Sequence, residues 1–238
     1  MPLLPVGDPV AFSPPPRPTR TVLRGRYVLI RPLDPEADAE PLYLASHPPG
    51  GDLSIWTYLF EGPYDNVEAM REALAAQAAS EDPLFFTLAP VPDERPSGVA
   101  SYLRITPQFG VIEIGNIWFG TPMQRTTAAT ETIYLLARHA FDGLGYRRLE
   151  WKCNALNAAS RRAADRFGFT FEGIFRKHMV VKGRSRDTAW YAIVNDDWPR
   201  IRTGFERWLA PDNFDAKGAQ RRRLSDVIGD ARGITPPQ

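Results

Sequence analysis

The sequence lacks several features that would point to particular classes of protein. It has one cysteine in 238 residues, Cys153, which excludes an internal disulfide and suits a buried thiol in a reducing compartment. Its three histidines, His47, His139 and His178, lie far apart without metal-ligand spacing, so we assign no metal site. No run approaches the roughly 18 apolar residues of a membrane span, and no signal-peptide pattern opens the chain. We therefore expect a soluble, cytoplasmic protein.

The sequence also lacks an excess of positive or negative charge. The 29 Lys and Arg residues against 28 Asp and Glu give a formal net charge of +1, so no global field favours nucleic acid or an anionic membrane. A serine-hydrolase function lacks support because no G-x-S-x-G motif occurs. The composition, 43% apolar and 24% charged, is that of an ordinary globular protein with one sizeable core.

We expect one domain with two tails. Residues 1–20 are rich in proline, which predicts an extended arm. We interpret this arm as a tail without a specific function or as a strap over the domain, with a docking motif for a polyproline-binding partner as the minor alternative. The domain is expected to span residues 21–200, followed by a C-terminal helix and polar tail over 201–238. Arg221, Arg222 and Arg223 lie in that tail, where a solvated charge run is favoured over a ribosome or nucleic-acid contact.

Local patterns predict several elements before the middle of the chain. Apolar spacing and turn residues indicate strands at 26–33, 85–89 and 99–105 and helices at 35–46 and 66–80. The loop over residues 47–64 is aromatic but not periodic. Its Trp56 and Tyr58 are interpreted either as substrate contacts or as ordinary packing under a long loop.

The most informative stretch begins at residue 111. Residues 111–119 are β-branched and aromatic with Gly115 in the middle, which predicts a strand interrupted by a bulge or a close backbone approach. A helix with apolar residues every three or four positions follows, beginning near Thr127 to Thr130. Its free N-terminal N–H groups and helix dipole favour a phosphate oxygen, and the small side chains there allow a close approach.

This order resembles the GNAT superfamily of acyl-CoA-dependent N-acetyltransferases. Gln124 and Ala129 fill the first and last positions of its coenzyme A loop, Q/R-x-x-G-x-G/A, whereas Thr127 replaces the middle glycine. A strand at 148–153 and an Asn-led helix over 157–169 follow with the family's spacing. Segments 23–46, 56–64 and 186–199, together with the Asn157–Ser160 step, resemble the RimJ and RimL branch of ribosomal-protein acetyltransferases, and the likeness covers residues 22–200.

The resemblance implies a fold, a reaction and a co-substrate. The fold class would be α/β (α+β), with a mixed, mostly antiparallel sheet of six to seven strands that splits around the cofactor and about four helices. The co-substrate would be acetyl-CoA or another short acyl-CoA, and the acceptor a primary amine on a protein N-terminus or a small molecule. Related folds often pair, so a homodimer is plausible, whereas no membrane or nucleic-acid partner is expected.

The resemblance also assigns the cofactor-binding residues. Backbone N–H groups on the strand would hold the thioester, the loop and helix start would hold the phosphates, and the later helix would hold pantetheine. These positions are Ile117, Trp118, Gln124, Arg125, Thr126, Thr127, Ala128, Ala129, Thr130, Asn157 and Ser160.

Catalysis is assigned to two side chains. Glu113 lies among apolar residues on the strand, where burial would favour its neutral form and suit it to accept an amine proton as general base, in contact with the substrate. The alternative is that Glu113 faces solvent or pairs with Arg104 or Lys152. Many members of the family have a tyrosine that protonates the leaving thiolate, but Ala164 occupies that position here. Ser160 therefore supplies the hydroxyl available to the thiolate.

A function of another class stays open at this point. With Thr127 and Ala164 as departures from the family pattern, the chain could bind acyl-CoA without turnover, as a sensor or as a ribosome-associated interaction module.

Overall fold

Eight strands pair into one sheet in the computed structural model, which describes residues 4–230. The strands are β1 Leu23–Arg24, β2 Val28–Pro32, β3 Leu84–Pro90, β4 Gly98–Thr106, β5 Val111–Phe119, β6 Arg148–Asn154, β7 Thr170–Val181 and β8 Arg184–Val194. The α-helices within that range are α1 Pro35–Ser46, α2 Val67–Ala79, α3 Thr127–Arg138, α4 Ala158–Arg166, α5 Trp198–Leu209 and α6 Leu224–Asp230. None of these helices is long and apolar enough to cross a membrane.

The strand order explains where the sheet opens. It runs β1-β2-β3-β4-β5-β6-β8-β7, and every neighbouring pair is antiparallel except β5 and β6. The parallel pair is joined only where residues 111–113 of β5 face residues 148–150 of β6. Beyond that point each strand continues without the other, so the mixed, mostly antiparallel sheet splits as predicted.

The counts of strands and helices exceed the prediction. The additional strand is β1, a two-residue segment paired with β2. The additional helices are α5 and α6. Leu224, Val227 and Ile228 of α6 are buried, although the sequence predicted a polar tail there. Helix α5 begins at Trp198 and so crosses the domain boundary expected at residue 200. Both helices pack into the main domain because their apolar faces need cover.

The two faces of the sheet have separate cores. The larger core packs α3, α5 and α6 against the sheet, and the smaller one lies under α1 and α2 around Trp56, Met70 and Trp118. Successive residues of a strand serve opposite faces, since Val99 belongs to the smaller core and Ala100 to the larger. A ligand in the split therefore lies between the helices on one face of the sheet and those on the other.

The second half of the N-terminal arm lies on the domain. Residues 4–20 have no regular secondary structure, yet Pro15 and Pro18 are buried. Arg17 donates from Nη1 to the carbonyl oxygen of Ile105 at 3.2 Å, and the hydroxyl of Tyr146 donates to the carbonyl oxygen of Pro16 at 3.2 Å.

A buried carboxylate fixes α3 against the start of the domain. Glu131 is only 5% exposed, and its oxygens accept the backbone N–H groups of Arg26, Tyr27 and Val28 at 3.0, 2.6 and 3.0 Å. A Cβ atom at Gly25 would lie 2.3 Å from the same carboxylate, so only glycine permits this approach. The contact positions the N-terminus of α3 relative to the sheet.

We predict that Glu131→Gln lowers the free energy of unfolding by about 1–3 kcal/mol, because the amide NH₂ replaces an acceptor and leaves a buried N–H unpaired. Urea denaturation followed by circular dichroism measures this change. The control is Glu72→Gln on the exposed face of α2, which should stay within about 0.5 kcal/mol of the unmodified protein. Equal midpoints for the two variants would contradict the role of Glu131.

Candidate active site

The split in the sheet is accompanied by a β-bulge in β5. Ser101 of β4 pairs with Gly115 and Val99 pairs with Trp118, so Asn116 and Ile117 lie opposite a single residue. Asn116 has a left-handed φ of +49°, which is uncommon for a residue other than glycine. The sequence had placed the break at Gly115, whereas the left-handed residue is its neighbour.

Two contacts hold the bulge in place. Asn116 donates from Nδ2 to the Ser101 hydroxyl at 3.0 Å, and that hydroxyl donates to the carbonyl oxygen of Gly115 at 3.1 Å. A Cβ atom at Gly115 would lie 2.8 Å from Leu103, which confirms the close approach predicted there. Side chains of the neighbouring strand β4 therefore stabilise the strained backbone at Asn116.

A cleft of ≈ 110 Å³ opens beyond the bulge, between β5 and β6. Of the two predicted thioester donors, Ile117 lines this cleft, whereas Trp118 is 7% exposed and packs on Trp56 at a ring distance of 5.1 Å. The backbone of Ile117 is therefore the better placed to meet a thioester oxygen, although this role stays a prediction.

The helix that should receive the phosphates begins at Thr127, within the predicted range. Thr126 caps it, since its hydroxyl accepts the N–H of Ala129 at 3.3 Å. Within residues 4–230 the N–H groups of Thr127 and Ala128 have no acceptor, so they are available to an anion. Thr130 is instead buried and accepts from Arg166 Nη1 at 3.1 Å.

The loop before α3 is exposed at Gln124 and Arg125. Gln124 donates from Nε2 to the carbonyl oxygen of Phe119 at 3.0 Å, which ties the loop to the end of β5. Arg125 has a left-handed φ of +61°. The side chain of Arg125 is therefore exposed next to the N-terminus of α3, where it can approach a bound phosphate.

The start of α4 lines the same cleft. Asn157 is the N-cap, and its Oδ1 accepts the N–H of Ser160 at 3.0 Å. The Ser160 hydroxyl accepts from Trp151 Nε1 at 3.0 Å, which leaves its own O–H to donate. Burial raises the pKa of the nearby Cys153 thiol, so this cysteine is unsuited to act as a nucleophile. Ala164 is completely buried and offers no hydroxyl.

Glu113 lies in the cleft as an ion-paired carboxylate. It is 2% exposed, and Oε2 accepts from Arg104 Nη1 and Lys152 Nζ, both at 2.8 Å. The ion pair considered as an alternative is therefore present, with both Arg104 and Lys152 as partners. Oε1 accepts no hydrogen bond from any residue the structure describes. That oxygen remains available to a substrate amine or a water molecule.

The aromatic loop closes the other side of the cleft. Tyr58 donates its hydroxyl to the carbonyl oxygen of Leu156 at 3.3 Å and so bridges to the segment before α4. Trp56 is 3% exposed, which favours the packing interpretation for its ring. Lys182, in the turn between β7 and β8, donates from Nζ to the carbonyl oxygens of Trp56 and Gly62 at 2.9 and 2.6 Å.

Asn116 and Arg186 line the cleft but were not identified from sequence as functional, and Arg186 is a buried residue of β8. Lys182, which contacts the aromatic loop outside the cleft lining, was also missed. The strand alternation around Arg186 could have indicated an inward side chain, but a charged residue there predicts solvent exposure. The other two depend on contacts across strands that no local pattern reveals.

Comparison with known proteins agrees with this geometry. Residues 28–170 match the family described as acetyltransferase (GNAT) domain. The crystal structure of a GCN5-related N-acetyltransferase from Brucella melitensis is 42% identical with a TM-score of 0.88, over 92% of this chain and 99% of that one. The chain belongs to the GNAT acetyltransferase family. It is therefore an acyl-CoA-dependent N-acetyltransferase of a family that uses acetyl-CoA.

Two further GNAT relatives support the assignment. A probable acetyltransferase from Chromobacterium violaceum ATCC 12472 is 34% identical with a TM-score of 0.75, over 83% of this chain and 98% of that structure. The probable N-acetyltransferase YjcK of Bacillus subtilis (strain 168) is 25% identical over 182 residues, 74% of this chain and 98% of YjcK.

We predict that Thr127→Glu weakens acetyl-CoA binding at least about tenfold, because a carboxylate at the helix start repels the phosphates. Thr127→Ala keeps the backbone N–H and should bind within a few-fold of the unmodified protein. Calorimetric titration measures both affinities. Ala75→Glu, on the exposed side of α2, adds the same charge elsewhere and serves as the control. Equal affinities for the two glutamate variants would contradict a phosphate site at α3.

Proposed function

We propose that the protein transfers an acetyl group from acetyl-CoA directly to a primary amine while both are bound. The observation that carries this proposal is that residues from both faces of the sheet line the cleft. One end is lined by Asn157 and Ser160 of α4, and the other by Glu113 and Tyr58 below α1 and α2. The two substrates can therefore enter from opposite faces and meet between β5 and β6.

On the coenzyme side, backbone groups do most of the binding. We propose that the N–H groups at the start of α3 hold the pyrophosphate, with Arg125 beside them, and that pantetheine follows the open edge of β5. Asn157 offers its Nδ2 to a pantetheine amide while its Oδ1 caps α4. The N–H of Ile117 at the bulge would bond the thioester oxygen as negative charge develops on it.

On the amine side, Glu113 contributes its unpaired oxygen. The neutral amine attacks the thioester carbon, a C–N bond forms, and the C–S bond breaks with release of the thiolate. Oε1 would accept the proton that the amine nitrogen loses, directly or through one water molecule. The Ser160 hydroxyl would donate a hydrogen bond to the leaving thiolate, since no tyrosine occupies position 164.

We also propose that the protein belongs to the RimJ and RimL branch. The support is the resemblance over 22–200, including the Asn157–Ser160 step. The acceptor is then an amine on a protein N-terminus or a small molecule. We place the reaction in the cytoplasm, since the buried free thiol of Cys153 suits a reducing compartment.

The proposal is tested by thiol release at saturating acetyl-CoA with a panel of amines that includes N-terminal peptides. The expected result is release that depends on both an amine and the thioester. Acetyl-CoA binding without release on any amine of the panel would contradict transfer.

We predict that Glu113→Gln lowers kcat about 100-fold while acetyl-CoA affinity changes little, because the amide cannot accept the amine proton. The matched control is Glu150→Gln, since Glu150 pairs with the same Lys152 Nζ but does not line the cleft. Its kcat should fall only a few-fold. An equal loss in both variants would show that Glu113 merely holds Lys152 in place.

A further inference from the structure

Arg186 is a buried cation with no hydrogen-bond or ion-pair partner among residues 4–230. Its residue is 7% exposed, and its buried Nε has no acceptor within that range. Over residues 4–230 no carboxylate forms a salt bridge with its guanidinium. Burial lowers the pKa of Arg186, but an arginine side chain stays charged at neutral pH. Isolated buried charge is strongly unfavourable, so an arginine in this state calls for a bound anion.

The register of the sheet puts Arg186 on the amine side of the cleft. Cys153 of β6 pairs with Ala189 of β8, and Lys152 pairs with Trp190. Because alternate residues of a strand share a face, Arg186 lies on the same face as Trp190 and Lys152. That face carries Glu113, whereas Cys153 faces the coenzyme side with α4.

The groups around Arg186 leave it as a surplus positive charge. Its guanidinium lies over the Phe60 ring, 5.2 Å from the ring centre. The other cations of the cleft, Arg104 and Lys152, are already paired with Glu113, and Lys152 also pairs with Glu150. Among the described residues, Arg186 is therefore the cation of the cleft that has no carboxylate partner, and its guanidinium can pair with an incoming anion.

We propose that Arg186 binds an anionic group, a carboxylate or a phosphate, on the amine acceptor. This inference rests on the proposed function and narrows its substrate class. The acceptor would be an amine that carries its negative charge within a few bonds of the reacting nitrogen, such as an amino acid or a phosphorylated amine. Polyamines, and peptide N-termini without a nearby acid, would be poor acceptors. A guanidinium suits this role since it can form two parallel hydrogen bonds to such a group.

An apolar chamber beside the cleft indicates what else the acceptor carries. It has a volume of ≈ 310 Å³, shares Phe60 and Asn116 with the cleft, and is lined by aromatic residues including Trp56, Tyr64 and Trp118. The Trp56 Nε1 is buried there with no acceptor in the described part of the chain. An aromatic or long apolar substituent fits this space, which makes phenylalanine a suitable first probe.

The test compares matched acceptors with saturating acetyl-CoA. L-phenylalanine is compared with L-phenylalaninamide, and phosphoethanolamine with ethanolamine. We expect the anionic member of at least one pair to have a kcat/KM roughly 10- to 100-fold higher, mainly through KM, and Arg186→Met to abolish that difference. The two pairs separate a carboxylate from a phosphate. Arg184→Met, on the same strand but exposed, should retain the preference.

A second readout does not depend on turnover. With CoA bound, so that the α3 site is filled, inorganic phosphate and acetate should raise the melting temperature of the unmodified protein but not of Arg186→Met. Without anions, Arg186→Met should melt at the same temperature or higher, because a buried unpaired charge has been removed. A structural role for Arg186 over Phe60 would instead lower the melting temperature and impair all acceptors equally.

Three results would overturn the inference. They are equal turnover of the neutral and anionic acceptors, a lower melting temperature for Arg186→Met together with uniform loss of activity, or a preference for succinyl-CoA over acetyl-CoA that Arg186→Met removes. The last result would place the anion on the acyl group. Absence of transfer to any amine, with the anion-dependent melting shift retained, would contradict the proposed function alone.

Discussion

The structure depends on the separation of two parallel strands. Strands β5 and β6 share only three paired positions, and the bulge with the left-handed Asn116 follows three residues later on β5. The backbone groups freed by the separation, and the helices α3 and α4 that follow each strand, then meet at one place. The bulge strains the backbone at Asn116, and the hydrogen bond from Asn116 to the Ser101 hydroxyl offsets this strain.

Charge is distributed unequally across the cleft. On the proposed coenzyme side, the cleft is lined by uncharged side chains such as Ser160 and Asn157. The amine side contains a buried network in which Glu113 is held by two cations and Arg186 has none of the described carboxylates. A buried network of this kind is unfavourable unless every member is satisfied. Arg186 is therefore the cation that an anionic acceptor is expected to pair with.

Local sequence patterns predicted most of the helices and several strands, and the family resemblance implied the split sheet. Helix α1 has the predicted bounds, and α3 begins at Thr127, because capping residues and apolar spacing are local signals. Glu113 was identified with both its catalytic and its ion-paired interpretation, yet the pairing could not be decided since Lys152 is distant in sequence. The burial of Arg186 and the packing of α6 were missed for the same reason. Both depend on contacts that only the folded chain creates.

The most direct test of the central claim is hydrogen–deuterium exchange with and without acetyl-CoA. If the thioester lies between the separated strands, the cofactor should slow exchange at residues 115–130, from the bulge to the first turn of α3, and at 157–160. Unchanged exchange in both segments, or protection confined to the loop over 47–64, would contradict the claim that the split sheet binds the acetyl donor.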